Sequence, residues 1–109
     1  MPTPHHPSAG VRRTLRKLGQ DLQDARRRRR LPMSVVADRA FTTRVTLQRI
    51  EKGDPAVSIG IYAAVLQALG LLDGLGDLAD PSRDSVGQAL DVAALPQRTH
   101  IPRKRRPDG

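Results

Sequence analysis

Apolar residues recur at helical spacing along most of this chain. In the first such stretch they are three or four positions apart, which predicts one amphipathic helix from Val11 to about Arg29. Its expected buried stripe consists of Val11, Leu15, Leu18, Leu22 and Ala25. Residues 1–10 hold three prolines and show no such spacing, so they are predicted to be a disordered lead.

Two short helices joined by a tight turn are predicted next. The first runs from Met33 to Ala40, and Thr43 is the expected N-cap of a second helix from Arg44 to Lys52, which Gly53 ends. The inward residues of the pair are predicted to be Val36, Ala37, Ala40, Leu47 and Ile50. Small residues such as Ala37 and Ala40 let two helices joined by so short a turn cross closely.

Further helical segments follow. Ser58 is the expected cap of a helix to Leu69, ended by Gly70, and its buried face is predicted to hold Ile61, Ala64, Val65, Ala68 and Leu69, with Tyr62 half-buried. A short fifth helix covers Leu71 to Leu78, and Asp80-Pro81 ends it. Residues 82–95 form one more predicted helix, with Val86, Ala89, Leu90 and Ala93 on one face.

The predicted fold is therefore all-α. Residues 1–10 form the lead, 11–79 a helical domain, 80–95 a helical extension and 96–109 a basic disordered tail, in which Arg103 to Arg106 either add nonspecific affinity for a polyanion or do nothing. An extra amphipathic helix on so small a core is either a dimer or partner surface, or it folds back on its own domain.

The charge of the chain indicates a polyanionic partner. Its net charge is +8 and its sequence pI is about 11.4. Residues 1–57 carry 13 Lys or Arg against five Asp or Glu, whereas residues 58–95 carry one against five, and the tail is basic again. A DNA-binding half followed by a protein-contacting half would produce this alternation, whereas a uniform coating protein would have less reason to keep an acidic block.

The second helix of the predicted pair carries the candidate chemistry. Its outward row would enter the major groove and read bases, and it consists of Arg44, Val45, Gln48 and Arg49. Arginine donates two hydrogen bonds to guanine, glutamine pairs with adenine, and valine contacts the thymine methyl. Glu51 is expected to pair with an arginine of the same chain. One copy offers few base contacts, so a twofold dimer on a palindromic operator is predicted.

These residues resemble the lambda-repressor-like (XRE, or Cro/repressor) helix-turn-helix family, from Leu18-Gly19 to Ala68-Leu69-Gly70. The segments that carry the likeness are Val36-Ala37, Ala40, Arg49-Ile50-Glu51-Lys52-Gly53 and Ala68-Leu69-Gly70. The resemblance implies a five-helix DNA-binding domain, here with an extra C-terminal helix. Two positions depart from the family: Phe41 replaces a glycine of positive φ, implying a different turn or strain, and Pro32-Met33 replaces a polar cap and a phosphate-binding glutamine.

The predicted phosphate contacts lie beside the base-reading row. They are Ser34, Thr43, Thr46 and Lys52, together with Arg28 and Arg29 from the densest run of charge, Arg26 to Arg30. This run is read in two compatible ways. It is either a solvated helix end whose cations favour the helix dipole, or two or three of its members bind DNA phosphates.

The run from Gly53 to Leu71, GDPAVSIGIYAAVLQALGL, resembles HipB-like antitoxins. In that family the antitoxin dimer binds its own promoter and holds a HipA-type kinase toxin, so residues 58–95 and the tail are the toxin-facing candidates that this resemblance implies. The alternatives are a stand-alone repressor of another operon and a nonspecific nucleic-acid-coating protein.

Other classes of function are not expected. The chain has no cysteine, no phosphate-binding glycine loop and no histidine in the predicted core, so an enzyme, a metal site and a bound cofactor are not predicted. No apolar run reaches the roughly 18 residues of a membrane span. The sequence predicts a cytoplasmic, nucleoid-associated protein.

Overall fold

The computed structural model describes residues 6–94, and every regular element within that range is helical. The elements are α1 (Ala9–Arg28), α2 (Met33–Arg39), α3 (Arg44–Glu51), α4 (Ile59–Ala68), α5 (Leu72–Gly76), a 3-10 helix (Pro81–Arg83) and α6 (Ser85–Ala94). The all-α prediction is confirmed. None of the helices in residues 6–94 is long and apolar enough to cross a membrane. The predicted disordered tail, with Arg103 to Arg106, lies outside the described residues.

Three of the helices have a serine or threonine as N-cap, whose hydroxyl accepts a hydrogen bond from the first turn. The predicted caps are confirmed, since the backbone N–H of Thr46 donates to Thr43 Oγ1 and that of Ile61 donates to Ser58 Oγ. Ser8 caps α1 in the same way, accepting from the N–H of Val11 at 3.2 Å. Helix α1 therefore begins at Ala9, and the predicted boundary of the disordered lead at residue 10 is wrong.

Helices α1 to α4 all end with one residue in the left-handed region. Two of these residues are the predicted glycines, Gly53 (φ 75°) and Gly70 (φ 76°), and two are not glycine, Arg30 (φ 54°) and Phe41 (φ 55°). In each case the next N–H turns back to a carbonyl of the last helical turn, as Thr42 does to Ala37 at 2.9 Å. The α2–α3 turn thus keeps positive φ at Phe41, and of the two predicted alternatives strain is the correct one.

The core lies in the first of two compact units, which ends at Leu75. Helix α1 packs on α3, and α2 packs on α3 and α4. The inward residues predicted for α2 and α3 are all buried, as are Leu22, Ala25, Val57, Tyr62, Val65, Leu66 and Leu69. Leu18, Ile61, Ala64 and Ala68, which were predicted to be buried, are only partly buried, and Leu66 was not predicted. Two further details were wrong. Val11 is 46% exposed because it lies a full turn before the first partly buried residue of its stripe, Leu15.

Tyr62 is the second wrong detail, since it is buried rather than half-buried. Its hydroxyl donates to the backbone carbonyl of Asp54 at 2.7 Å, which supplies the hydrogen-bond partner that a buried tyrosine needs. Burial also raises the pKa of the Tyr62 hydroxyl. The tyrosine therefore fixes the turn that follows α3.

Two glycines allow α1 to lie directly against the end of α3. A Cβ at Gly19 would lie 2.6 Å from the carbonyl oxygen of Ile50 and 2.8 Å from that of Glu51. A Cβ at Gly53 would overlap the carbonyl of Leu15. Because both contacts are with backbone atoms, a side chain at either glycine would fit only if α1 or α3 were displaced.

The second unit begins at Gly76. Here the predicted helix 82–95 is divided, with the 3-10 helix capped by Asp80 and α6 capped by Asp84, which accepts from the N–H of Gly87 at 2.8 Å. The fifth helix ends at Gly76 rather than at Leu78, since two glycines weaken it. The side chains of Val86, Leu90 and Val92 are exposed.

The strain at Phe41 gives a prediction for stability. A left-handed conformation costs a non-glycine residue roughly 1–2 kcal/mol, and glycine loses about 0.5–1 kcal/mol more entropy on folding. The Phe41 side chain is 97% exposed, so removing it sacrifices little packing. We expect Phe41→Gly to raise the free energy of unfolding by about 0.5–1 kcal/mol, measured by urea denaturation.

Gly70→Ala is the matched control. Gly70 has the same backbone conformation, and a Cβ there meets nothing within 4 Å, so the substitution isolates the strain. It should lower the free energy of unfolding by about 1 kcal/mol. A loss of stability in Phe41→Gly would show that the aromatic ring supports the fold.

Candidate nucleic-acid interface

The outer face of α3 carries all four side chains predicted to read bases. Arg44, Val45, Gln48 and Arg49 are exposed, whereas Leu47 and Ile50 on the opposite face are completely buried. A helix with its side chains is about 10–12 Å in diameter, which fits the major groove, about 12 Å wide. The face is therefore presented to solvent as the sequence predicted, and contact with DNA stays a prediction.

The start of α3 positions the hydroxyls predicted to bind phosphate. Thr43 Oγ1 accepts from the N–H of Thr46 at 3.1 Å and donates to Thr46 Oγ1 at the same distance. The hydroxyl proton of Thr43 is thus used inside the protein, while the half-buried Thr46 hydroxyl donates to no acceptor within residues 6–94. Thr43 acts first as the cap that sets where α3 begins.

The other predicted phosphate contacts are distributed over three elements. Ser34 on α2, Lys52 after α3 and Arg28 at the end of α1 are exposed. Arg29 is exposed as well, but its Nη1 donates to the carbonyl of Ala25 at 2.9 Å and so caps its own helix. Pro32 makes no side-chain cap for α2, in keeping with the departure noted at this position.

One member of the arginine run is buried, so Arg26 is neither a solvated cation nor available to a phosphate, whereas Arg27 to Arg30 are exposed and their phosphate contacts stay a prediction. Arg26 Nε lies 2.7 Å from Glu51 Oε2 and its Nη2 lies 3.1 Å from Glu51 Oε1, with side chains only 11% and 4% exposed. The prediction that Glu51 pairs with an arginine is confirmed. Arg26 follows Ala25 and lies four residues after Leu22, so its place on the buried stripe was the signal that could have identified it.

All three nitrogens of Arg26 and both carboxylate oxygens of Glu51 make hydrogen bonds within the protein. Arg26 Nη1 donates to the carbonyl of Leu31 at 3.1 Å, and Gln23 Nε2 donates to Glu51 Oε1 at 3.3 Å. The hydrogen bond to Glu51 raises the pKa of the Arg26 guanidinium against the opposing effect of burial. The pair therefore joins the end of α1 to the end of α3 and fixes the direction in which the outer face of α3 points.

Arg49 is already in an ion pair. Its Nε donates to Asp54 Oδ2 at 2.7 Å, and the two side chains are 47% and 28% exposed. The other carboxylate oxygen accepts from the N–H of Ala56 at 2.8 Å, and this bond, followed by the one from Arg49, lowers the pKa of Asp54. Sequence reasoning did not identify Asp54, because the pair forms only through the reversal of the chain at Gly53.

A comparison with protein families identifies this architecture. Residues 17–79, more than half of the chain, match the family described as "Helix-turn-helix domain". The chain belongs to this family. The match covers α2, the turn and α3 of this helix-turn-helix protein, and it supports the XRE-like part of the resemblance. A search of curated proteins found no match.

Breaking the buried pair should destabilise this helix-turn-helix protein strongly. Glu51→Ala leaves the Arg26 guanidinium buried without its counter-ion, so we expect the free energy of unfolding to fall by about 3 kcal/mol, measured by urea denaturation followed by circular dichroism. Replacing both partners by apolar residues, in Arg26→Met/Glu51→Leu, should recover most of that loss. A double variant no more stable than Glu51→Ala would contradict this account.

Proposed function

We propose that this protein is a sequence-specific DNA-binding transcriptional repressor, a binding protein and not an enzyme. The observation that carries the proposal is the outer face of α3, where two arginines, a glutamine and a valine are exposed on a helix whose inner face is buried. In this mechanism α3 enters the major groove. Arg44 and Arg49 donate to guanine, Gln48 pairs with adenine, and Val45 contacts a thymine methyl.

The packing behind α3 supports this function physically. Contact with Gly19 and the Arg26–Glu51 pair hold the helix on α1, so its exposed side chains start from a fixed backbone. A rigid reading helix lowers the entropy lost on binding. Exposed cations on other elements, including Arg28 and Lys52, supply the affinity for phosphates that is independent of sequence.

The proposed binding unit is a twofold dimer. Each good base contact contributes roughly 1–3 kcal/mol of discrimination, which is too little from one short helix to select a single site in a genome. Two copies would place two α3 helices in successive major grooves of a palindromic operator, with half-sites about one helical turn apart. Occupancy of that operator would block transcription.

We further propose that the protein is the antitoxin of a type II toxin–antitoxin pair, associated with the nucleoid and regulating its own operon. The support is the resemblance of the run from Gly53 to Leu71 to HipB-like antitoxins, together with the change of charge along the chain. Residues 58–95 contain five aspartates and one arginine, and α6 leaves Val86, Leu90 and Val92 exposed. This acidic, partly apolar segment would hold the HipA-type kinase toxin.

Two sets of substitutions separate base reading from phosphate binding. Arg44→Ala and Gln48→Ala should each reduce discrimination between selected and random duplexes by roughly 1–3 kcal/mol, because they remove base contacts. Arg28→Ala should weaken both duplexes alike and reduce the slope of log affinity against log salt by about 0.9. Fluorescence anisotropy titrations measure both quantities. Identical behaviour of the two sets would contradict this division of roles.

Footprinting on the DNA upstream of its own gene tests the proposed circuit. We expect a palindromic protected region that changes when the product of the neighbouring gene is added, and a stable complex between the two proteins on co-expression. Protection upstream of an unrelated gene, with no complex, would identify a stand-alone repressor. Equal affinity for every duplex would identify a nonspecific coating protein.

A further inference from the structure

Two arginine–carboxylate pairs flank the end of α3, and they use their guanidinium groups differently. Arg26 is buried, and all three of its nitrogens donate within the protein. Arg49 is half exposed and donates through Nε alone; among residues 6–94 its two terminal nitrogens have no hydrogen-bond partner. The first guanidinium is therefore engaged at every nitrogen, while the second keeps both terminal nitrogens available.

Asp54 is held firmly in place beside Arg49. Its N–H donates to the carbonyl of Arg49 at 3.0 Å, and its own carbonyl accepts from the Tyr62 hydroxyl at 2.7 Å. Its Oδ1 accepts from the N–H of Ala56, and Pro55 restricts the backbone between them. Both the backbone and the carboxylate of Asp54 are thus held by hydrogen bonds, so the carboxylate that contacts Arg49 has little freedom to move.

We propose that Asp54 is a positioning residue for DNA recognition, which holds Nε of Arg49 so that the two terminal nitrogens point outward as a preformed fork for one guanine. This inference rests on the proposed function, and it adds a residue that lies outside the reading helix. A fork of two N–H donors matches the O6 and N7 acceptors that guanine presents in the major groove.

Preorganisation accounts for the benefit of such a contact. An arginine that is free in solution loses side-chain entropy when it binds, and fixing a long side chain beforehand improves affinity by roughly 2- to 10-fold. The carboxylate at 2.7 Å restricts the guanidinium before DNA arrives. Arg44, which has the same chemistry on the same face, makes no such pair within residues 6–94.

The sign of the effect distinguishes this role from general electrostatics. Removing any surface carboxylate raises the net charge by one, which by itself strengthens binding to every duplex. Loss of a positioning carboxylate instead weakens binding to the selected duplex. The affinity for random duplexes stays the same or rises slightly. The two explanations therefore predict opposite changes for the same substitution.

Asp54→Asn is the decisive variant. The amide oxygen still accepts from the N–H of Ala56, so the turn is preserved, but the side chain no longer carries the charge that holds Arg49. Asp21→Asn is the matched control, since Asp21 forms an exposed pair with Lys17 at 2.6 Å on α1 and its replacement changes the net charge equally. Thermal unfolding of both variants verifies that each is folded at the binding temperature.

The experiment uses duplexes selected from a random pool by the full-length wild-type chain. Each guanine of the selected duplex is replaced in turn by 7-deazaguanine, which lacks the N7 acceptor. We expect one replacement to weaken wild-type binding and to have little effect on Arg49→Ala. Asp54→Asn should bind the selected duplex about 5-fold more weakly than the wild type. The 7-deazaguanine replacement at that guanine should then cost Asp54→Asn less affinity than it costs the wild type, whereas Asp21→Asn should lose as much as the wild type.

Three results would overturn the inference. The first is tighter binding of Asp54→Asn to all duplexes, as general electrostatics requires. The second is equally weakened binding to selected and random duplexes, as a purely structural role requires. The third is a loss of affinity on 7-deazaguanine replacement equal to that of the wild type. If the wild-type chain selects no sequence at all, the proposed function fails first and the role of Asp54 fails with it. A selected sequence with an unchanged guanine penalty removes only the role of Asp54.

Discussion

The contact between α1 and the end of α3 is the constraint on which the recognition surface depends. Burying an ion pair is costly unless its geometry is good and its remaining polar groups are satisfied, and here Glu51 contacts two nitrogens of Arg26 while Leu31 and Gln23 complete the network. Gly19 permits the backbones to touch beside this pair. With its inner side held so closely, α3 can present only one face outward, and that face carries the base-reading candidates.

Two arginines near the end of α3 have different roles, and the difference follows from their burial. Arg26 is almost enclosed and donates from all three of its nitrogens to acceptors of the protein, so it stabilises the packing of two helices. Arg49 is half exposed and tied through a single nitrogen, so most of its hydrogen-bonding capacity faces solvent. Arg26 thus joins α1 to the end of α3, whereas Arg49 can donate hydrogen bonds to a partner outside the protein from the outer face of α3.

The short connections impose a second constraint. Four successive helices reverse direction through a left-handed residue, because only that conformation turns the chain within two or three positions while satisfying the last carbonyls of each helix. Glycine meets this demand without strain at two positions. Arg30 and Phe41 accept it with strain, and Phe41 does so with its ring in solvent. The packing of the helices therefore imposes the geometry of the turn, even where the residue is not glycine and would prefer a negative φ.

The sequence by itself determined the approximate extents of α1 to α4, the caps Thr43 and Ser58, and the inner and outer faces of α3, because spacing of apolar residues and capping chemistry act within one or two turns. Tertiary structure decided the rest. Arg26 and Glu51 are 25 residues apart, so the apolar stripe of α1 can mark Arg26 as inward but cannot identify Glu51 as its partner. Asp54 reaches Arg49 only after the reversal at Gly53, and the burial of Tyr62 depends on the same turn. Contacts across a fold depend on how the elements pack, which periodicity does not encode.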